Sequence, residues 1–211
     1  MTDQTLSADA HTTALDLDVF LAAKWANPES FPAGEFARAE AFWQARRAED
    51  PRLLRIRAEA ARLVESWTGH TPRDVGSFGI QLNLESSDLD LGIGYPVAER
   101  DELMAALAPH AAFKGERFTS FTTTRLVFSF DVDGVDIDLS ALTEEDFTVA
   151  CRMLDEIDAG MSREERVAHT WVKHLLRGSG RTGDYATWKL VTYARHCPEF
   201  NWVPIPEPSA G

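Results

Sequence analysis

The chain has 211 residues, 44% hydrophobic and 26% charged, values that fit one large globular domain or two small ones and exclude a disordered or fibrous chain. A core of this size needs no disulfide or structural metal, and Cys151 and Cys197 read as separate small buried residues of a reducing compartment. The net charge of −13 argues against a broad cationic footprint on long nucleic acid but leaves room for a local basic groove.

No apolar run reaches the length of a membrane span. The polar start, MTDQTLSADAHTT, lacks the basic and apolar regions of a signal peptide. A cytoplasmic protein without a membrane partner is expected.

Residues 1–33 read as an N-terminal arm. Leu15–Trp25 fits a short helix, and two prolines make residues 27–32 a loop. Gly34–Glu49 reads as a helix with Phe36, Phe42 and Trp43 as its apolar contacts. Asp50-Pro51 restarts it, with an N-cap and a proline at the first helical position. Ile56, Ala60, Leu63, Val64 and Trp67 then recur at helical spacing, and Gly69 ends the run. Next comes the stretch Gly76–Leu91, GSFGIQLNLESSDLDL. A short strand is expected to end near Val75, and another to run over Asp88–Ile93. Arg100–His110 reads as a helix, and Phe118–Phe121 and Arg125–Phe130 as strands. Asp133-Gly134 is a tight-turn signal leading into a returning strand, Val135–Leu139.

From Thr143 the pattern is helical. Thr143 caps an acidic first turn, and Ser162 opens a capping box. Gly178–Gly183 reads as a helix-to-helix connection, since it lacks the Gly-Lys-Ser/Thr of a P-loop and follows no strand. Asp184–Arg195 is a last helix, and three prolines make the tail extended. The organisation expected is an arm (1–33), a mixed domain (34–142), a C-terminal helical region (143–203) and a tail (204–211). The fold class is α+β, a small mixed sheet flanked by helices.

The chemistry concentrates in Gly76–Leu91. Leu89, Leu91 and Ile93 alternate with Asp88, Asp90 and Gly92, the pattern of a half-buried strand with two carboxylates on one face. Like charges so close raise each other's pKa, and hard oxygens suit Mg²⁺. Gly76-Ser77 suits a phosphate, because glycine admits it to the backbone and the hydroxyl can donate. In the later strand Asp136 and Asp138 again share a face, so either supplies a third carboxylate. Arg125, at the start of the preceding strand, could face the same site. Lys173 and Lys189 are cations on later helices. Tyr95, Tyr185 and Trp188 are aromatics able to stack on a base, although aromatics at helical spacing more often fill a core. The six histidines show no zinc spacing, and His70 reads as a surface residue.

The stretch resembles the signature of the nucleotidyltransferase superfamily, the DNA polymerase β-like fold: Gly-Ser, a spacer, Asp-hydrophobic-Asp, and an acidic residue on a later strand. It is most similar to poly(A)/poly(U) terminal nucleotidyltransferases, whose motif reads roughly GSFxxGLxLxxSDIDL. Ser77 to Asp88 keeps that spacing, while Gln81 replaces a usual glycine. The resemblance implies a palm domain over 34–142, with Asp88, Asp90 and Asp136 holding two Mg²⁺ ions (Mn²⁺ as an alternative). Asp136 is picked because the later strand is similar to Val-Asp-Ile-Ser-Leu, and Asp138 stays its rival. It further implies that Gly76 and Ser77, with Lys173, bind the triphosphate. The activity implied is transfer of a nucleoside monophosphate from an NTP to a hydroxyl, releasing pyrophosphate. Charge and size favour a small-molecule or protein acceptor. RNA is the second acceptor, and an inactive nucleotide- or partner-binding domain, suggested by Gln81, the third reading.

Overall fold

The computed structural model describes residues 17–23, 27–32, 34–47, 51–84, 87–119 and 123–199. Asp50, the expected N-cap, and the tail at 204–211 lie outside them. Helices α1 (Leu17–Ala23), α2 (Glu35–Arg47) and α3 (Pro51–Thr68) lead into a five-stranded sheet. Its strands are β1 (Arg73–Asp74), β2 (Leu89–Tyr95), β3 (Ala112–Phe118), β4 (Thr124–Val132) and β5 (Val135–Thr143), with α4 (Arg100–Leu107) between β2 and β3. Three helices follow: α5 (Glu144–Gly160), α6 (Arg163–Gly178) and α7 (Thr182–His196).

The sheet order is β1-β2-β5-β4-β3. β2 and β5 run parallel and the other pairs antiparallel, so the fold is α+β with a mixed sheet. Alternation sorts the two faces. Leu89, Leu91 and Ile93 of β2, Ile137 and Leu139 of β5 and Phe128 of β4 enter one core with Ile56, Ala60 and Val64 of α3 and Leu103 and Leu107 of α4. The helical spacing of α3 is thus spent on this face. On the other face α5 packs over β2 and β5. A Cβ at Gly94 would stand 2.9 Å from the Phe147 ring, and one at Gly92 3.0 Å. The missing side chains let the helix approach this closely.

The β4–β5 hairpin turns at Asp133 (φ 52°) and Gly134 (φ 78°), both left-handed, as a two-residue turn of this kind requires. The Asp131 carboxylate accepts from the Gly134 amide at 3.0 Å. A strand runs over Ala112–Phe118 and shares only Phe118 with the described part of the one expected at Phe118–Phe121, of which residues 120 and 121 lie outside the described residues. Its register shifts between Phe113 and Gly115, and this edge strand buries neither face, so the period-two signal is erased. Thr143 caps α5 by accepting from the Asp146 amide, and Ser162 caps α6 by accepting from that of Glu165. α6 packs on both α2 and α7. None of the described helices is long and apolar enough to cross a membrane.

Candidate active site

The turn carrying Gly76-Ser77 follows β1 and is pinned from several sides. The Val75 amide donates to the Asp90 carbonyl at 3.1 Å, and the Leu82 amide to the Ser77 carbonyl at 2.8 Å. Ile80 and Leu82 sink into a second core with Met153, Leu154 and Ile157 of α5 and Tyr193 of α7. Gly76 lies directly against Asp90: a Cβ there would fall 2.0 Å from the carboxylate oxygen, so no other residue fits without moving Asp90.

Two cations on α6, Arg166 and Lys173, hold the turn from the helical side. They are seven residues apart, two helical turns, and so share a face. Arg166 donates to the Ile80 carbonyl at 2.7 Å and pairs with Asp158. Lys173, 2% exposed, donates to the Leu82 carbonyl at 2.9 Å and to Ser87 Oγ at 3.3 Å. Ser87 Oγ also accepts from the Leu84 amide at 2.8 Å, which fixes the chain one residue before Asp88. Gln81, between the two clamped carbonyls, is left-handed (φ 59°). That conformation disfavours a side chain and accounts physically for glycine in the motif this stretch resembles. Gln81 adopts it nonetheless.

The carboxylates line up across two strands. Asp90 is the register partner of Asp138. Asp136 lies opposite Asp131 of β4 and is exposed, as is Asp88. Burial first, then Asp138 and Asp88, push the Asp90 carboxyl above the ordinary range, with Arg125 and Lys189 pulling the other way. Asp138 is raised by burial and then by Asp88, against Arg117 and Arg125, with a smaller push from Asp136. Both candidates for the third carboxylate therefore stand on the same face, with Asp138 level with Asp90 and Asp136 further out. Among the described residues no three histidine, cysteine or acidic groups already form a cation cage. The donor set still fits a hard divalent ion, because it is all carboxylate and its members repel one another.

Beside this row a cavity of about 270 Å³ opens between the sheet and the helices, reaching from Gly76, Ser77 and Asp90 to Tyr185 and Tyr193. Its walls carry four cations: Arg125, Lys173, Arg177 and Lys189. The Nε atoms of Arg125 and Arg177 are buried without a hydrogen-bond partner. Lys189 is half-buried, and burial pulls its ammonium down, against the attraction of Asp90. The ring of Tyr185 lies under the Lys173 ammonium (5.7 Å) and the Arg177 guanidinium (5.5 Å).

Of the residues singled out in the sequence, Gly76, Ser77, Asp90, Arg125, Lys173, Tyr185 and Lys189 all line this cavity. Trp188 does not; it is core, its ring tilted against that of His169 with the centroids 4.6 Å apart. Tyr95 packs into the core on the opposite face of the sheet, because its odd position in β2 turns it away from Asp90. His70 sits 3.8 Å from Glu99 and lines no part of the cavity. Two further cations, Arg166 at the Gly-Ser turn and Arg177 on the cavity wall, stand outside the motif. Arg177 follows Lys173 by four residues, as Lys189 follows Tyr185, so helical spacing from one cavity residue finds the next.

These elements define a nucleotidyltransferase fold, with its Gly-Ser turn against the first acidic strand and a second acidic strand in parallel beside it. No family model matches the sequence, and neither does any curated protein. Solved structures do. The chain superposes on the GLD-2/RNP-8 complex with a TM-score of 0.52 at 14% identity, over 80% of this chain and 68% of that one. For the Cid1 poly(U) polymerase the values are 0.47 and 12%, over 67% and 46%. For a cytoplasmic RNA terminal U-transferase they are 0.49 and 14%, over 77% and 52%. The chain thus spans about half the length of the latter two.

Proposed function

We propose that the protein is a divalent-cation-dependent nucleotidyltransferase that moves a nucleoside monophosphate from an NTP to a hydroxyl acceptor and releases pyrophosphate. The observation that carries this is the cavity: four cations, two with orphaned buried nitrogens, converge beside Gly76, Ser77 and Asp90. Buried donors without partners call for an anionic ligand, and a triphosphate supplies several charges. Ser77 and the backbone at Gly76 would meet the terminal phosphates, with Lys173, Arg177 and Lys189 around them. Lys173 would do so while tying Leu82 and Ser87 in place. Tyr185 would close the base end.

Asp88, Asp90 and Asp136, with Asp138 as the alternative third group, would hold Mg²⁺ or Mn²⁺. Such ions supply charge neutralisation on the phosphates and a lowered pKa at the acceptor hydroxyl. In the reaction the acceptor oxygen bonds to the α-phosphorus as the α–β bridging bond breaks. Pyrophosphate leaves carrying the former α–β bridging oxygen, and the hydroxyl proton passes to a carboxylate on the same face. Cations along the wall stabilise the charge that builds on the departing phosphates.

The net charge of −13 supports a small-molecule or protein acceptor, and the two cysteines, Cys151 and Cys197, which form no disulfide with each other, support a cytoplasmic setting. A second reading, terminal addition to RNA, is favoured by edge strand β3. There Phe113 and Phe118 are 45% and 67% exposed beside exposed Lys114 and Arg117, a basic-aromatic combination suited to single strands. Incubation with each α-labelled NTP and Mg²⁺, against a short RNA and against protein and aminoglycoside-type hydroxyl acceptors, tests the proposal. Label transfer with stoichiometric pyrophosphate is expected. NTP binding with no transfer to any acceptor would leave a nucleotide-binding domain instead.

A further inference from the structure

Arg125 is placed where no phosphate-binding role alone would require it. Its Nη1 donates to Ser140 Oγ at 2.9 Å, on the strand that carries Asp136 and Asp138. Its Nε is buried without a partner. Ser140 is itself only 4% exposed, so the guanidinium is tethered to β5. The anions acting on it are Asp90 and Asp138, and its cationic neighbour is Arg117, which is its register partner on β3. An arginine keeps its charge under all ordinary conditions, so a fixed positive charge stands beside the carboxylate row whether or not any ion is bound.

We infer that Arg125 is the resident counter-ion of the carboxylate row, set so that a divalent cation must bind against it. This rests on the metal-dependent reading proposed above and adds a role for a residue of this chain. Two consequences follow from Coulomb's law. Without an ion, Arg125 offsets part of the repulsion between Asp90 and Asp138, so the empty site stays assembled. With an ion, the same charge opposes it and weakens its binding. Because Arg125 also lines the cavity, an incoming phosphate offers its guanidinium a second anion, so phosphate and cation favour each other's binding.

Titration calorimetry with Mn²⁺ alone, no nucleotide present, tests this on the full chain. Arg125→Met should tighten Mn²⁺ binding on the order of tenfold relative to wild type. Arg125→Lys keeps the charge, so its affinity should stay near that of wild type, and a cooperative melt for each variant excludes misfolding as the cause. Unchanged or weaker Mn²⁺ binding by Arg125→Met, with wild type binding normally, overturns the counter-ion role and leaves the nucleotidyltransferase reading intact. Equal tightening by Arg125→Lys also overturns it, because charge would then not be the cause. Failure of wild type and both variants to bind Mn²⁺ removes the inference together with the metal-dependent reading beneath it.

Discussion

The two faces of β2 divide the labour of a single strand. Leu89, Leu91 and Ile93, all under 4% exposed, pack on α3 and α4, while on the opposite face Asp90 lines the cavity and Gly92 and Gly94 lie against Phe147 of α5. The first set follows the ordinary rule that apolar area leaves water. The second breaks it: Asp90 is held among like charges and pressed by Gly76. Local conflict of that kind is expected where a site has been built at some cost in stability.

Substitution on each face separates the two costs. Asp90→Asn should lower nucleotidyl transfer on the order of 10³-fold or more, yet the variant should melt higher than wild type in the absence of divalent ions. The sign follows from linkage. A carboxyl whose pKa is raised on folding holds its proton in the folded state after the unfolded chain has released it, so wild-type stability falls as pH rises from about 4 through the raised pKa. Denaturant melts of wild type and Asp90→Asn across that range check it, and the variant should show the shallower decline. Three residues along the same strand, Ile93→Ala should do the reverse, losing about 3 kcal/mol of stability while the remaining folded protein still binds nucleotide.

Beneath the cavity, His169 sharpens the contrast further. It is fully buried, neither ring nitrogen has a hydrogen-bond partner, and burial first, then Lys173 and Lys189, push its pKa well below the usual value. Its neutral form contributes stability that is present above pH 6.5 and is lost as pH falls below it, by about 1.4 kcal/mol per pH unit while the unfolded chain alone takes up the proton. His169→Leu should flatten that acid limb. The smallest effect is expected at Gln81, where Gln81→Gly should relieve the left-handed backbone and stabilise by roughly 0.5 kcal/mol after the added entropy of the unfolded chain is counted. An equilibrium urea melt resolves a change of that sign.

Much of the site was legible because it depends on short-range spacing. Ser77 to Asp88 and the alternation through Ile93 place the turn and the first two carboxylates, and Asp133-Gly134 places the hairpin that returns the second acidic strand. What the sequence left open depends on register and on contacts distant along the chain. Whether Asp136 or Asp138 stands level with Asp90 is decided by how β5 slides along β2, which no local pattern encodes. Arg166 and Lys173 meet carbonyls of the Gly-Ser turn more than 80 residues away, and the bulge in β3 hid an edge strand whose residues are mostly exposed.

The most direct test of the central claim is calorimetric titration of the four NTPs with Mg²⁺ into wild type and the Asp88→Ala/Asp90→Ala double variant. Wild type should bind saturably, with a preferred base, and that binding should be lost or strongly weakened in the double variant and when Mg²⁺ is withheld. Wild type that binds none of the four NTPs would contradict it. The cationic cavity would then need a different anion, and the carboxylate row a different use.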